Sequence, residues 1–200
     1  KTDAARVNFT IKQQGSKTVK NFLYFEVNDT NPLNALEYVL EDGQLFFDAV
    51  VLFSGNIHWD TQSGKPYMHY NDNVTALLKD KELYIQPLRD RGIKVLMGVL
   101  GDHDGSGPAN LTEKGADVFA EHLAEMCVEY GLDGICMDDE YSEYYKAPNN
   151  DYFTGSSTSL LQATRLLERA KYYMKKDVPW DTMIAVFYWG VYGSGMPEVN

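Results

Sequence analysis

Short apolar runs alternate with amphipathic helical patterns along most of this 200-residue chain. The apolar runs are rich in β-branched and aromatic residues, which favour strands, and they occupy residues 21–28, 45–55, 92–101, 131–139 and 181–190. Strands that are apolar on both faces and separated by helices are typical of a parallel sheet with helices packed against it. A (β/α)8 barrel and an open doubly wound sheet both satisfy this pattern.

The first two predicted helices contain prolines. One helix begins at Asn31, which can cap a helix whose first turn holds Pro32, and it ends at Gly43. The next helix covers most of residues 73–92, and Pro87 is expected to disturb its last turns because proline lacks the amide hydrogen.

The third and fourth helices are predicted from the spacing of apolar residues. Apolar side chains recur every three or four positions over residues 116–130, and Gly131 follows where a left-handed helix cap is expected. Cys127 lies in this apolar stripe, so we expect its side chain in the core. Residues 159–176 are predicted to form the fourth helix.

Three consecutive acids, Asp138, Asp139 and Glu140, stand at the end of the fourth strand. Barrel enzymes carry their active sites at the carboxyl ends of the strands, and no glycine-rich phosphate-binding motif follows the first strand. We therefore predict a (β/α)8 TIM barrel over residues 21–200, preceded by an N-terminal extension over residues 1–20. A complete barrel takes about 250 residues, so we expect only about the first five βα units in this chain.

Side chains alternate between the two faces of a strand, which separates the acids. Cys136, Asp138 and Glu140 share one face, while Met137 and Asp139 share the other. If Met137 packs against the helices, the first set points into the barrel mouth, where two carboxylates then meet. Like charges at a strand end repel each other, and such costs concentrate at functional sites. A solvated acidic turn is the alternative interpretation.

The composition limits the kind of partner. The formal net charge of -11 argues against a nucleic-acid or anionic-membrane surface, because no cluster of Lys and Arg occurs. Aromatic residues make up 13% of the chain, which suits sugar binding but also suits a large core. No apolar run is long enough to span a bilayer. These features favour a globular protein that acts on a neutral partner.

The acids also carry a resemblance. Asp133, Asp138 and Glu140 in DGICMDDE resemble the DxxDxDxE signature of glycoside hydrolase family 18. The longer stretch YGLDGICMDDEYSEY is similar to the endo-β-N-acetylglucosaminidase branch of that family, the endoglycosidase H-like enzymes. The segments YFEVND, FDAVVLFSGNIHWD and GIKVLMGVLGDHDGSG resemble the early strands and loops of the same branch. The similarity covers roughly residues 20–145 and is weaker up to residue 190.

This resemblance implies hydrolysis between the two N-acetylglucosamines of an N-glycan core, with retention at the anomeric carbon. In this family the acetamide oxygen of the substrate attacks, so the enzyme supplies no nucleophile. Glu140 would protonate the leaving oxygen and then activate water. Asp138 would orient the acetamide and stabilise the positive oxazolinium intermediate. Asp133 and Cys136 would support these two carboxylates.

The chain departs from the family pattern at Cys136, where the signature has another Asp. A thiol is a poor substitute for a carboxyl group in a hydrogen bond. We predict that activity survives, because Glu140 and Asp138 remain. We also predict that Cys136→Asp extends the upper limb of the pH profile to higher pH, because it adds a buried negative charge. Cys136 itself is not expected to act as a nucleophile in an acidic, strand-bound setting.

Further residues are predicted to bind the sugar because they follow strands at the expected barrel mouth. They are Asn56, Trp59, His103, Tyr141, Tyr188 and Trp189. For the two tryptophans, stacking on a sugar and plain packing at the barrel rim are equally good interpretations.

No cofactor or metal is expected. The histidines lack a tight ligand spacing. DHDGSGPANLTE, residues 102–113, matches a calcium-loop pattern, but a strand rather than a helix is predicted before it, so a loop at the barrel mouth is favoured.

Two alternative functions stay open. A chitinase of the same family would share the signature, and the late loops that distinguish the two activities are not expected in this chain. A catalytically weak carbohydrate-binding protein on the same scaffold would account for Cys136, although a binding protein has no need for the proton donor Glu140. Because N-glycans are found outside the cytoplasm, we expect a secreted, periplasmic or cell-surface protein.

Overall fold

The computed structural model describes residue 17 and residues 19–187. Its strands are β1 (Phe22–Glu26), β2 (Ala49–Trp59), β3 (Pro66–His69), β4 (Lys94–Leu100), β5 (Gly134–Asp138) and β6 (Met183–Phe187). Its α-helices are α1 (Asp72–Lys79), α2 (Lys81–Tyr84), α3 (Gln86–Asp90), α4 (Glu113–Tyr130) and α5 (Leu160–Asp177). Short 3-10 helices cover Pro32–Glu37 and Tyr144–Lys146.

Five of the strands form a parallel sheet in the order β1-β2-β4-β5-β6. The order follows the chain without the reversal that marks a doubly wound sheet. The sheet curls, because Tyr24 on β1 reaches Cys136 on β5 at 3.0 Å and packs edge-on against Phe187 on β6. The result is a half-barrel of parallel strands, which is consistent with part of a TIM barrel.

The two faces of the sheet pack differently. The outer face carries Ile135 and Met137 into a large core shared with the helices, where Cys127 is also buried. The inner face carries Val51, Leu96 and Cys136 in a separate cluster inside the half-barrel. The predicted alternation along β5 is therefore confirmed, since Met137 faces the helices and Cys136 faces the interior.

The two long predicted helices are confirmed, and so is the predicted cap at Gly131. The Thr112 hydroxyl accepts a hydrogen bond from the amide of Gly115 at the start of α4, and Gly131 ends that helix with a φ of 71°. Ser159 caps α5 in the same way through the amide of Gln162.

The early part of the chain differs from the prediction. The first helix is only the 3-10 turn Pro32–Glu37, because Val39 leaves the helical path to form a bridge with Leu45. The second strand begins at Ala49 rather than at residue 45 and continues to Trp59. The second helix is broken into α1, α2 and α3, and Pro87 lies in the first turn of α3.

The hairpin of β2 and β3 was not predicted from the sequence. Trp59 pairs with Pro66 and Asn56 with His69 in antiparallel register. The turn is stabilised by the Asp60 carboxylate, which accepts hydrogen bonds from the following amides, and by Gly64 at a φ of 71°. The TQSG segment was the available signal, since polar turn residues separate two strand-like stretches.

The boundary predicted at residue 20 stays a prediction, because most of residues 1–20 lie outside the described residues. Lys17 and Lys20 both pair with Asp48 at the start of β2. Within the described ranges, no helix combines the length and the apolar character that crossing a membrane requires.

Candidate active site

The acids after β5 lie at the carboxyl edge of the curled sheet. Asp138 ends the strand and is only 4% exposed, and Glu140 is partly buried two residues later. The amide of Glu140 donates to the carbonyl of Asp138 at 2.9 Å, so a tight turn centred on Asp139 joins the two. This turn places both carboxyl-bearing residues at the strand end where barrel enzymes perform their chemistry.

The backbone around Glu140 is fixed by the loop that follows β4. The amide of Gly101 donates to the carbonyl of Glu140 at 2.9 Å, and the amide of His103 donates to the carbonyl of Tyr141 at 2.8 Å. A Cβ atom on Gly101 would lie 2.5 Å from the Cα of Ser142, so only glycine permits this approach. The two loops therefore hold the position of Glu140 together.

Asp139 follows the last residue of β5 and lies within the turn, so the alternation of the strand does not fix the direction of its side chain. Its carboxyl group accepts hydrogen bonds from the hydroxyls of Ser142 at 2.6 Å and Tyr144 at 2.7 Å. Burial raises the pKa of Asp139, and the two hydroxyl donors oppose this effect. No role was predicted for Asp139, Ser142 or Tyr144, although DDEYSEY contains hydroxyl residues after the acids.

Cys136 lies on the inner face next to Asp138. Its sulfur is 3.0 Å from the hydroxyl oxygen of Tyr24. Burial is the main cause that raises the pKa of the Cys136 thiol, and the charge of Asp138 adds to it. Burial also raises the pKa of Tyr24. Two uncharged groups, the Cys136 thiol and the Tyr24 hydroxyl, therefore adjoin Asp138. The place of Tyr24 in this site was not predicted, because the alternation of side chains along β1 does not indicate which residue of another strand they contact.

Asp133 lies at the opposite end of β5. Its carboxylate pairs with the Arg89 guanidinium at 3.2 Å and accepts a hydrogen bond from the amide of Val95 at 2.9 Å. Arg89 also stacks on Trp180, with 4.6 Å to the ring centroid. The structure therefore separates Asp133 from Asp138 and Glu140 by the length of the strand, and any support it gives acts through the fold.

Two predicted sugar-binding residues on β2 contact the loop after β4. The side-chain amide of Asn56 donates to the carbonyl of Gly101 at 2.8 Å, and the indole N–H of Trp59 donates to the carbonyl of Asp104 at 3.3 Å. Trp59 also packs on the main core. Both residues thus bind the loop that holds Glu140. Of the two interpretations of Trp59, the structure shows packing at the barrel rim.

His103 and Tyr141 lie together beside Glu140. Their rings are 5.2 Å apart, and both residues have positive φ angles of about 60°. His103 contacts Glu143 at 2.9 Å, and Glu143 has a φ of 46° and an ion pair with Lys146. Non-glycine residues in this conformation are strained, and such strain gathers at functional sites. Tyr141 is 51% exposed, so its ring is available to a ligand.

The remaining predictions for this site have different outcomes. Tyr188 and Trp189 lie outside the described residues. In the calcium-like loop, Asp102 and Asp104 contact the two nitrogens of His58, and Glu113 pairs with Arg165 at 3.1 Å on α5. Glu113 therefore does not join Asp102 and Asp104, and no group of metal ligands occurs among residues 19–187.

No protein-family model matches the chain. It is 44% identical over 157 residues to endo-beta-N-acetylglucosaminidase F1 of Elizabethkingia meningoseptica, a match that covers 78% of this chain and 45% of that protein. The chain is similar to endo-β-N-acetylglucosaminidases. A second such enzyme, from Flavobacterium sp. (strain SK1022), is 41% identical over 122 residues, which cover 60% of this chain and 38% of that protein.

The chain is also similar to solved structures of glycan-cleaving enzymes. EndoBT-3987 of Bacteroides thetaiotamicron with a Man5GlcNAc product has a TM-score of 0.80 and 42% identity, covering 93% of this chain and 42% of that one. A glycoside hydrolase family 18 N-acetylglucosaminidase from Paenibacillus barengoltzii, at 17% identity and a TM-score of 0.53 over 82% of this chain and 44% of that one, shares the fold alone. The chain spans less than half the length of each of these four proteins.

Proposed function

We propose that this chain supplies the acid-bearing half of a (β/α)8 barrel in an endo-β-N-acetylglucosaminidase of glycoside hydrolase family 18. The observation that carries the proposal is the turn at the end of β5, which brings Asp138 and Glu140 together at the carboxyl edge of the curled sheet. The sequence similarity to named endo-beta-N-acetylglucosaminidases covers most of the chain and supports the same reaction.

In the proposed reaction the bond between the two core N-acetylglucosamines of an N-glycan is hydrolysed. The acetamide oxygen of the first sugar attacks its own anomeric carbon, and the bond from that carbon to the leaving oxygen breaks. Glu140 gives its proton to the leaving oxygen. The product of this step is an oxazolinium ion, and its positive charge is stabilised by the Asp138 carboxylate.

In the second step Glu140 acts as a base. It takes a proton from water, and the water oxygen forms a bond to the anomeric carbon as the oxazolinium ring opens. Attack from the face vacated by the leaving oxygen retains the original configuration. The buried setting of Asp138, which is 4% exposed, strengthens its interaction with the developing charge, because water competes little there.

The neighbouring residues have supporting parts in this proposal. Cys136 leaves Asp138 without the carboxyl neighbour of the family signature, and Tyr24 contacts the thiol instead. His103 and Tyr141 are proposed to bind the sugar, because their rings lie 5.2 Å apart beside Glu140 and that of Tyr141 is exposed. The proposed substrate is an N-glycan carried by a glycoprotein. Because such glycans are found outside the cytoplasm, we also propose a secreted, periplasmic or cell-surface location.

The test is cleavage of a glycoprotein that carries high-mannose N-glycans by the intact protein, followed by mass spectrometry of protein and released sugar. We expect each glycosylated Asn to keep a single N-acetylglucosamine. Glu140→Gln should abolish the product. Glu113→Gln is the matched control, because it makes the same change at a side chain that is 81% exposed on α4. Binding of glycan without cleavage by the unmodified protein would contradict the proposal and indicate a carbohydrate-binding protein.

A further inference from the structure

The middle acid of the three has a different environment from its neighbours. Asp138 adjoins Cys136 and Tyr24 on the inner face of the half-barrel, whereas the Asp139 side chain is bonded to residues of the loop that follows β5. Its carboxyl group lies among hydroxyls, with Ser142 at 2.6 Å and Tyr144 at 2.7 Å from its oxygens. Two hydroxyl donors on one carboxyl group fix its orientation, because each donor has a definite direction.

These contacts continue into the loop after β4. The Tyr144 hydroxyl oxygen accepts a hydrogen bond from the amide of Ala109 at 3.1 Å, and the hydroxyl proton of Tyr144 is donated to Asp139. Ser142 lies against Gly101 and Gly107, where an added Cβ atom would meet its side chain at 2.8 Å and 2.4 Å. The carboxyl group of Asp139 therefore joins its own turn to two points of the neighbouring loop.

We propose that Asp139 is a positioning residue, which sets the separation of Asp138 and Glu140 by anchoring the turn between them through Ser142 and Tyr144. This inference rests on the proposed function of the two outer acids. One backbone bond, at 2.9 Å, closes the turn itself, and the bonds from the amides of Gly101 and His103 hold only the carbonyls of Glu140 and Tyr141, at its end and after it. Reacting groups that shift by about 1 Å lose about a hundredfold in rate, so a side chain that holds the turn has a large effect.

The experiment compares the intact protein with Asp139→Asn, Ser142→Ala and Tyr144→Phe. Asp139→Asn keeps the shape but turns an amide toward a hydroxyl donor, and each of the other variants removes one donor. We expect kcat to fall by about 30-fold in Asp139→Asn and by about fivefold in the other two, with KM within about twofold. Asp151→Asn and Tyr172→Phe are the matched controls, because both side chains are exposed and lie away from the turn.

Hydrogen exchange supplies a readout that does not depend on activity. The amides of Gly101 and His103 donate across to the turn, so we expect them to exchange at least about tenfold faster in Asp139→Asn. The amide of Val95, which bonds to Asp133 at the other end of the sheet, should keep its rate. If Asp139→Asn does not fold, Ser142→Ala takes its place, since it deletes only one hydroxyl.

The outcomes separate the two proposals. A lower kcat with local loss of protection supports the positioning role. Unchanged kcat in a folded variant, or faster exchange at Val95 together with a general loss of stability, overturns it. If the unmodified protein cleaves no N-glycan, the proposed function fails, and the exchange rates of Gly101 and His103 alone decide whether Asp139 holds the turn.

Discussion

The acids at the two ends of β5 have different kinds of neighbours. At the amino end, Asp133 is neutralised by Arg89 and fully engaged with the amide of Val95. At the carboxyl end, the Asp138 carboxylate adjoins the uncharged side chains of Cys136 and Tyr24, and Glu140 follows after one turn. Acids at the two ends of one strand therefore differ in kind. One is matched to a cation and stabilises the fold, and the others lie where the proposed cationic intermediate would form.

The largest expected effect is the loss of rate when the charge at the carboxyl end is removed. Asp138→Asn should lower kcat by about 10²- to 10³-fold, because a preorganised group that stabilises developing charge is lost. Its melting temperature should change little, since the amide is nearly isosteric. Steady-state kinetics with a defined glycopeptide measures this. Equal rates for Asp138→Asn and the unmodified protein would remove the distinction between the two ends.

At the amino end the same comparison predicts a loss of stability instead. Asp133→Ala leaves the Arg89 guanidinium and the Val95 amide without their carboxylate partner, so we expect unfolding to become about 3 kcal/mol easier. Urea denaturation followed by tryptophan fluorescence measures this. The kcat of the folded fraction should stay within about twofold. A specific loss of kcat at full stability would place Asp133 in the catalytic machinery.

A smaller effect is expected at Cys136. Cys136→Asp introduces a buried carboxyl group beside Asp138, and this added negative charge should move the upper limb of the pH–rate profile higher by up to about one pH unit. Cys136→Ser is the matched control, because it changes the sulfur without adding a charge. An upper limb that is unchanged or lower in Cys136→Asp would refute this prediction.

The smallest effect concerns Glu143, an acid at the carboxyl end that is neutralised like Asp133. Its ion pair with Lys146, followed by its contact with His103, lowers the pKa of Glu143 to about 2. Since the folded pKa is below the unfolded value of about 4.3, these contacts stabilise the loop above that value and are lost as the pH falls toward 2. A carboxyl-carbon NMR titration should show this midpoint. Lys146→Met should raise it, and no rise would contradict the assignment.

Much of the fold was predictable from local patterns. The helices α4 and α5 and the core of each parallel strand follow from apolar spacing and capping residues such as Thr112 and Ser159, which act within a few positions. The face of Met137 and Cys136 was predictable for the same reason, since alternation is a property of the strand itself. The helix expected up to Gly43 was wrong, because a contact with Leu45 redirected Val39.

The sequence by itself determined that three acids stand at the end of an apolar strand, and that Cys136 and Met137 face opposite sides of it. Only the tertiary structure decided what meets them. Arg89 reaches Asp133 across 44 residues, Tyr24 reaches Cys136 across 112, and the hydroxyl of Tyr144 reaches Asp139 once the loop after β4 supports it. Partners so distant in the chain are set by how the sheet curls and how the loops pack, and no local periodicity encodes that geometry.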